Sequence, residues 1–356
     1  MNLLRHPLLA SVALVAILES FGHVRAADRL IFEPNPAQSN GKHIVLISGD
    51  EEYRSEESCP MLAKILSKHH GFKCTVLFAI DPETGVINPN NNSNIPGTDT
   101  LADADLMIIA TRWRVLPGEQ LDPILEFLNA GKPLIAYRTA THAFNNDDMH
   151  GGYDWKNFGV NVVGENWHSH HGKHKFQGGR AVFVPENRDH AILNGVHDIF
   201  TTSDVYGVVH LDEEEATVLA RGAVTETLDP ASLPVEGEIN SPMMPLAWIK
   251  PYKTENGKPG TCFATTSGAA VDFRSEDLRR MIVNACHHLT GQVIPEKANV
   301  DFVDPYEPSF YGFLDPDFFL QRGLRVEDFQ LGSSANTLPD PIQAANQMLK
   351  EPALAN

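Results

Sequence analysis

Hydrophobic residues in the first third of the chain fall into short unbroken runs separated by amphipathic stretches, as expected of strands covered on both faces by helices. The first run, His43-Ile44-Val45-Leu46-Ile47-Ser48-Gly49, ends in the polar turn Asp50-Glu51-Glu52-Tyr53-Arg54. Ser55 is placed to cap the next helix, with Glu56 and Glu57 in its first turn and Met61, Leu62, Ile65 and Leu66 on its apolar stripe. Lys73 to Ile80 predicts a second strand, followed by an Asn-, Pro- and Gly-rich loop from Asp81 to Thr98. A loop of that length in a compact domain points to function or insertion rather than simple connection. Asp105 to Ala110 predicts a third strand, and Pro117 opens a helix carrying Leu121, Ile124, Leu125 and Leu128 that stops at Gly131. Pro133 to Tyr137 predicts a fourth strand. Strands alternating with helices in this way predict an α/β fold with a parallel, right-handed, doubly wound sheet.

After Gly151 the pattern changes to short strands with little helix, at 180–185, 204–211, 216–221, 245–250 and 261–266. Asp277 to Leu289 is a last amphipathic helix, with Leu278, Met281, Ile282 and Ala285 on one stripe. Beyond Pro295 the chain turns aromatic, acidic and proline-rich. Its Phe and Tyr residues from Phe302 to Phe329 need cover, so the tail is expected to lie across the domain or against a partner, a homodimer being one such arrangement. Residues 331–356 read as disordered or loosely helical. The expected division is a signal peptide at 1–26, a polar leader at 27–41, one domain at 42–295 and an extended tail at 296–356.

The signal peptide follows from Arg5 and His6 before the apolar run Leu8–Leu18 and from the small residues of Val24-Arg25-Ala26, which form a cleavage site. A periplasmic or extracellular protein is expected, with no membrane span once the signal is removed, since no later run approaches the roughly 20 apolar residues a span needs. The formal charge of −18 repels phosphate backbones and anionic lipid, which excludes nucleic acid as a natural partner and favours a neutral sugar or a cation. None of the four cysteines, Cys59, Cys74, Cys262 and Cys286, forms a CxxC pair. Small buried thiols are the expectation, although Cys262 and Cys286 could approach each other if a helix returns over its strand.

Loops that follow parallel strands open on one edge of the sheet, where open α/β folds place their ligands. That edge gathers Glu52, Tyr53, Arg112, Trp113, Arg138, Thr139 and His142, and by continuity a segment with four imidazoles in seven residues, Trp167-His168-Ser169-His170-His171-Gly172-Lys173-His174. Three readings of the histidine segment stand side by side. His168, His170 and His171 could hold a divalent metal such as zinc, with Glu165 or Asp204 as carboxylate. One imidazole could act with His142 or Asp204 as general acid/base on a sugar hydroxyl or keto group. The segment could also be an ordinary surface loop. Asp204 and Tyr206 could reach the pocket as acid/base and hydroxyl donor, or cap a turn and pack. Trp113, Trp155 and Trp167 offer flat faces to a sugar or fill the core.

Gly131-Lys132-Pro133-Leu134-Ile135-Ala136-Tyr137 resembles the helix-to-strand approach to the nucleophile elbow of class I glutamine-amidotransferase-like domains, whose sheet is flavodoxin-like. The span from His43 to about Gly291 is similar to one branch, the ThuA-like (trehalose-utilisation) family. Gly151-Gly152 before a His-containing loop, Asp189-His190-Ala191-Ile192-Leu193-Asn194-Gly195 and Asp204-Val205-Tyr206 carry the likeness. Two residues depart from the pattern: Ala191 stands for the usual Pro, and Arg138 occupies the elbow, where amidotransferases have Cys and ThuA-like relatives usually His. A guanidinium cannot attack a carbonyl, so glutamine hydrolysis is excluded, and His142 could supply the imidazole instead. The resemblance implies a small carbohydrate or keto-sugar ligand. Arg112 and Arg138 would orient its oxygens, His142 and one of His168, His170 or His171 would move protons, and Glu52 and Asp204 would assist. The alternatives are a non-catalytic sugar-binding or interaction module and a metal-dependent hydrolase built on the histidines.

Overall fold

The computed structural model describes residues 27–315 and 317–333. The chain-order strands are β1 (Leu30–Phe32), β2 (His43–Gly49), β3 (Lys73–Phe78), β4 (Leu106–Thr111), β5 (Leu134–Tyr137), β6 (Ser169–His171), β7 (Gly179–Phe183), β8 (Phe200–Thr201), β9 (Val205–Gly207), β10 (Thr217–Val224), β11 (Met244–Tyr252) and β12 (Gly260–Thr265). The helices are α1 (Ser55–His70), α2 (Gly118–Asn129), α3 (Glu276–Leu289) and the short α4 (Phe318–Arg322). Ten strands form one sheet in the order β1-β3-β2-β4-β5-β12-β11-β10-β7-β8, and β6 pairs with β9 separately. The five strands β3-β2-β4-β5-β12 run parallel. From β12 onward the sheet continues antiparallel through β11, β10, β7 and β8, which is where the β-rich second half of the chain goes.

The unbroken apolar runs are explained by cover on both faces. Ile44 and Leu46 of β2 and Leu106 and Ile108 of β4 face a core shared with α1 and α3. Their neighbours Val45, Ile47, Met107 and Ile109 face a second core built with α2. Pleating sends successive residues to opposite sides, so every position in such a strand must be apolar. The same alternation settles the cysteines. All four are buried free thiols. Cys262 faces the α2 core and Cys286 the α3 core, so the sheet itself stands between them.

Two local expectations are corrected. Ser55 does not cap α1: Arg54 occupies the cap position in a left-handed conformation (φ 63°), and Ser55 Oγ instead accepts from the Asp50 amide and bonds Ser48 Oγ. The strand expected over 204–211 shrinks to β9, because its partner β6 offers only three residues. The 81–98 loop is tied down by Arg114, which reaches into it and donates to the carbonyls of Pro89 and Asn91. The tail lies across its own domain. Ala298, Val300, Tyr306, Val326 and Phe329 complete the α1/α3 core, and Phe310 and Tyr311 pack with Tyr53. Residues 1–26 and 334–356, which include the expected signal peptide and the end of the tail, lie outside the described residues. Among the described residues no helix is long and apolar enough to cross a membrane.

Candidate active site

The turn after β5 keeps the strained geometry expected of a nucleophile elbow, with Arg138 in the left-handed region (φ 49°). Gly268 makes room for it. A Cβ there would sit 2.5 Å from the Tyr137 ring and 3.3 Å from Arg138 Cβ. The guanidinium then turns inward and is only 1% exposed. Nη2 donates to Asp204 Oδ1 (2.8 Å) and to Tyr53 Oη (3.0 Å), while Nη1 donates to the carbonyls of Asp204 (2.6 Å) and Thr266 (2.8 Å). The Tyr206 and Tyr53 rings sandwich it at 3.8 and 4.4 Å. This cation ties the ends of β5 and β12 to Asp204, the residue just before β9.

Asp204 in turn organises two imidazoles. His170 Nδ1 donates to Oδ2 (2.6 Å) and His174 Nδ1 to Oδ1 (3.0 Å), with the two rings 4.0 Å apart. Burial alone would push the Asp204 carboxyl up, but Arg138 and the two imidazole bonds outweigh it and hold the group well below the usual carboxylate range. Asp204 is therefore a fixed anion that orients imidazoles rather than a group that exchanges protons. His174 also points Nε2 at Glu52 Oε1, 3.4 Å away. Burial opposes its charge, yet hydrogen bonds to Asp204 and Glu52 raise its pKa above the ordinary imidazole value.

His142 experiences the opposite field. Burial first, then the cations Arg112 and Arg138, depress its pKa well below that of a free imidazole. Its Nδ1 bonds Thr141 Oγ1 (3.0 Å), and Nε2 has no hydrogen-bond partner among the described residues. Trp113 packs at 4.8 Å and Trp167 at 5.8 Å from its ring. His142, His170, His174, Glu52, Arg112 and Tyr206 line one cavity of about 300 Å³, with Trp167, Lys175 and Phe313 completing its wall.

Of the residues expected at the site, Glu52, Arg112, His142, His170 and Tyr206 line the cavity. Arg138, Tyr53 and Thr139 are buried beneath it, Thr139 Oγ1 donating to Asp50 Oδ2, and so hold the framework instead of meeting a ligand. Trp113 supports His142 from behind. His168 is exposed and sits before β6. His171 is on the opposite face of β6 from His170 and bonds the Ile239 carbonyl (2.6 Å). The expected metal set His168, His170 and His171 is therefore not brought together, because adjacent strand residues point apart. His190 caps a short turn by accepting from the Ile192 amide, which gives that segment a packing role. Two cavity residues, Lys175 and Phe313, were not singled out from sequence, and His174 was read only as one of the four imidazoles of the His168–His174 segment. The four-residue spacing of His170 and His174 was the available signal for His174. Nothing local announces Lys175 or Phe313.

Among the described residues, His170, His174 and Asp204 are the group whose ligand atoms converge, to within 4.8 Å of one another. The donor chemistry fits a metal poorly: both Asp204 oxygens already accept from imidazoles, and the Arg138 guanidinium lies 2.8 Å from Oδ1, where a divalent cation would be repelled.

No protein-family model matches the chain, and no curated protein matches it. Among solved structures it is similar to a protein described as thua-like from Parabacteroides merdae ATCC 43184, at 14% identity and a TM-score of 0.46, over 71% of this chain and 92% of that one. The "mmIFT52 N-terminal domain" overlaps 71% of this chain and 99% of its own at 10% identity and a TM-score of 0.39. The exo-beta-1,4-mannosidase Op5Man5 from Opitutaceae bacterium strain TAV5 overlaps 72% of this chain and 36% of its own at 10% identity and a TM-score of 0.28. Overlaps this loose carry no functional argument, and what the chain does is inferred from its side chains.

Proposed function

We propose that this is an exported protein that binds and transforms a small carbohydrate or keto-sugar derivative in the strand-end cavity, by acid/base chemistry and without amidotransferase activity. One observation carries the proposal: two imidazoles with opposite electrostatic surroundings line the same cavity. His142 is held neutral with Nε2 unpartnered, ready to take a proton from a hydroxyl or from carbon next to a carbonyl. His174 lies between Glu52 and Asp204, whose hydrogen bonds raise its pKa, and is placed to give a proton to a developing alkoxide. Environments that drive two titratable groups apart are how acid and base roles are assigned at neutral pH. The cavity's volume suits a small ligand, Arg112 offers donors to ligand oxygens, and Trp167 offers a flat apolar face to a sugar ring. Export rests on the sequence pattern of residues 1–26.

The test is incubation of the purified protein with disaccharides and their oxidised keto forms, followed by NMR. Product is expected from the wild type. His142→Ala and His142→Gln should melt near the wild-type temperature and turn over at least about 100-fold more slowly. Wild-type rates in folded variants would refute the role of His142. Saturable binding with no product in any sample would make the protein a sugar-binding module.

A further inference from the structure

The charged groups on the cavity wall differ in how far the protein itself satisfies them. Arg112 pairs with Glu51 and Glu52, Glu52 with His174, and His170 and His174 with Asp204. Lys175 lines the same cavity, yet among the described residues its ammonium forms no hydrogen bond or ion pair. The carboxylates around the cavity are already engaged. Glu51 is shared by Arg112 and Arg114, and Asp204 by Arg138 and the two imidazoles.

The backbone keeps this lysine in place at a cost. Lys175 is the third residue of a turn closed by the Phe176 amide, which donates to the Lys173 carbonyl (3.0 Å). Its φ of 66° lies in the left-handed region that turns usually give to Gly or Asn. The turn is pinned on both sides, by His174 on Asp204 (3.0 Å) and by the Lys173 amide on Gln177 Oε1 (2.8 Å). A half-buried cation is thus held on the cavity wall where local geometry favours glycine.

We infer that Lys175 is an anion anchor, so that the preferred ligand is a sugar acid carrying one carboxylate rather than a neutral sugar. The inference rests on the carbohydrate reading above and adds the ligand's charge. One unpaired ammonium matches one carboxylate in a charge-assisted hydrogen bond, whereas a sugar phosphate would bring further negative charge without a partner. The net charge of −18 does not oppose this, because exposed charges are screened beyond roughly 8–10 Å and a cation in contact with the ligand is not.

Calorimetric titration tests it, using methyl glucuronide and methyl galacturonide, each against its uncharged uronamide and its parent methyl glycoside, and a hexose phosphate. The wild type is expected to bind one uronide about tenfold more tightly than its uronamide, by a margin that shrinks as salt is raised. Lys175→Met should bring acid and amide to within about twofold, and Lys175→Arg should keep the preference. Lys175→Gly should lose the preference while melting at or above the wild-type temperature, since glycine suits the turn. Equal affinity for acid and amide in the wild type, or a preference that survives in folded Lys175→Met, would overturn the anchor and leave the carbohydrate reading standing. Tighter binding of the phosphate than of either uronide would overturn the carboxylate assignment. Failure of every sugar, charged or neutral, to bind the wild type would overturn both readings.

Discussion

Two hollows among the described residues differ sharply in character. The larger, about 770 Å³, opens beside the start of α3 and is walled by Phe200, Leu228, Val271 and Phe310 with charged groups among them. Those charges are consumed locally: Asp277 accepts from the amides of His197 and Asp198, and Arg280 pairs with Asp277 and Glu276. The smaller hollow has less than half the volume, yet it holds one imidazole whose pKa is depressed, another whose pKa is raised, and a guanidinium with an aromatic ring over it. Size follows from how loosely loops pack, whereas chemistry needs groups whose bonding capacity is left open toward the ligand. The smaller hollow has that property because the charges beneath it, Arg138 and Asp204, are fully engaged and fix the groups above them.

Three experiments sharpen or break this contrast. The largest effect is expected at the buried pair. Asp204→Ala strands the Arg138 cation and frees both imidazoles, so it should lower stability by about 3–5 kcal/mol in urea unfolding and abolish saccharide binding. A stable, fully binding Asp204→Ala protein would remove the smaller hollow from consideration.

The next effect concerns pH. Turnover per free enzyme should be bell-shaped, falling in acid as His142 gains a proton below the ordinary imidazole range of about 6.5, and in alkali as His174 loses one above it. His174→Gln should erase the alkaline limb only. Stability follows the same signs. The His174 contribution is complete below the unfolded value and is lost as pH rises through the raised folded one. The His142 contribution is present above the unfolded value and is lost as pH falls toward the depressed folded one.

The smallest effect is expected at the larger hollow. Arg274→Gln, which removes an exposed side chain from its wall, should leave stability within about 0.5 kcal/mol and saccharide affinity unchanged. Loss of saccharide binding in that variant would reverse the assignment of the two hollows.

Much of this was decided by sequence alone. The unbroken runs of β2 and β4 could only be strands buried on both faces, and strands alternating with helices could only return parallel, so the edge carrying Glu52, Arg112 and His142 was determined by local pattern. What a charged residue does at that edge was not, because the same guanidinium serves a ligand or a framework according to what stacks on it. Arg112 faces the cavity, while Arg138, one strand over, is sealed between two tyrosines that approach from distant parts of the chain. Within the His168–His174 segment, the spacing left several pairings open. Pairing of β6 with β9 chose among them, turning His170 toward Asp204 and His171 away. Phe313 is the extreme case: nothing near it in sequence marks a cavity residue, and only the docking of the tail, with Ser309 bonded to Glu57 and Gly312 to Glu52, carries it to the cavity. Local periodicity reports which face of an element is buried. Which side chains meet across elements is decided by long-range packing, and that is where the roles in this site are assigned.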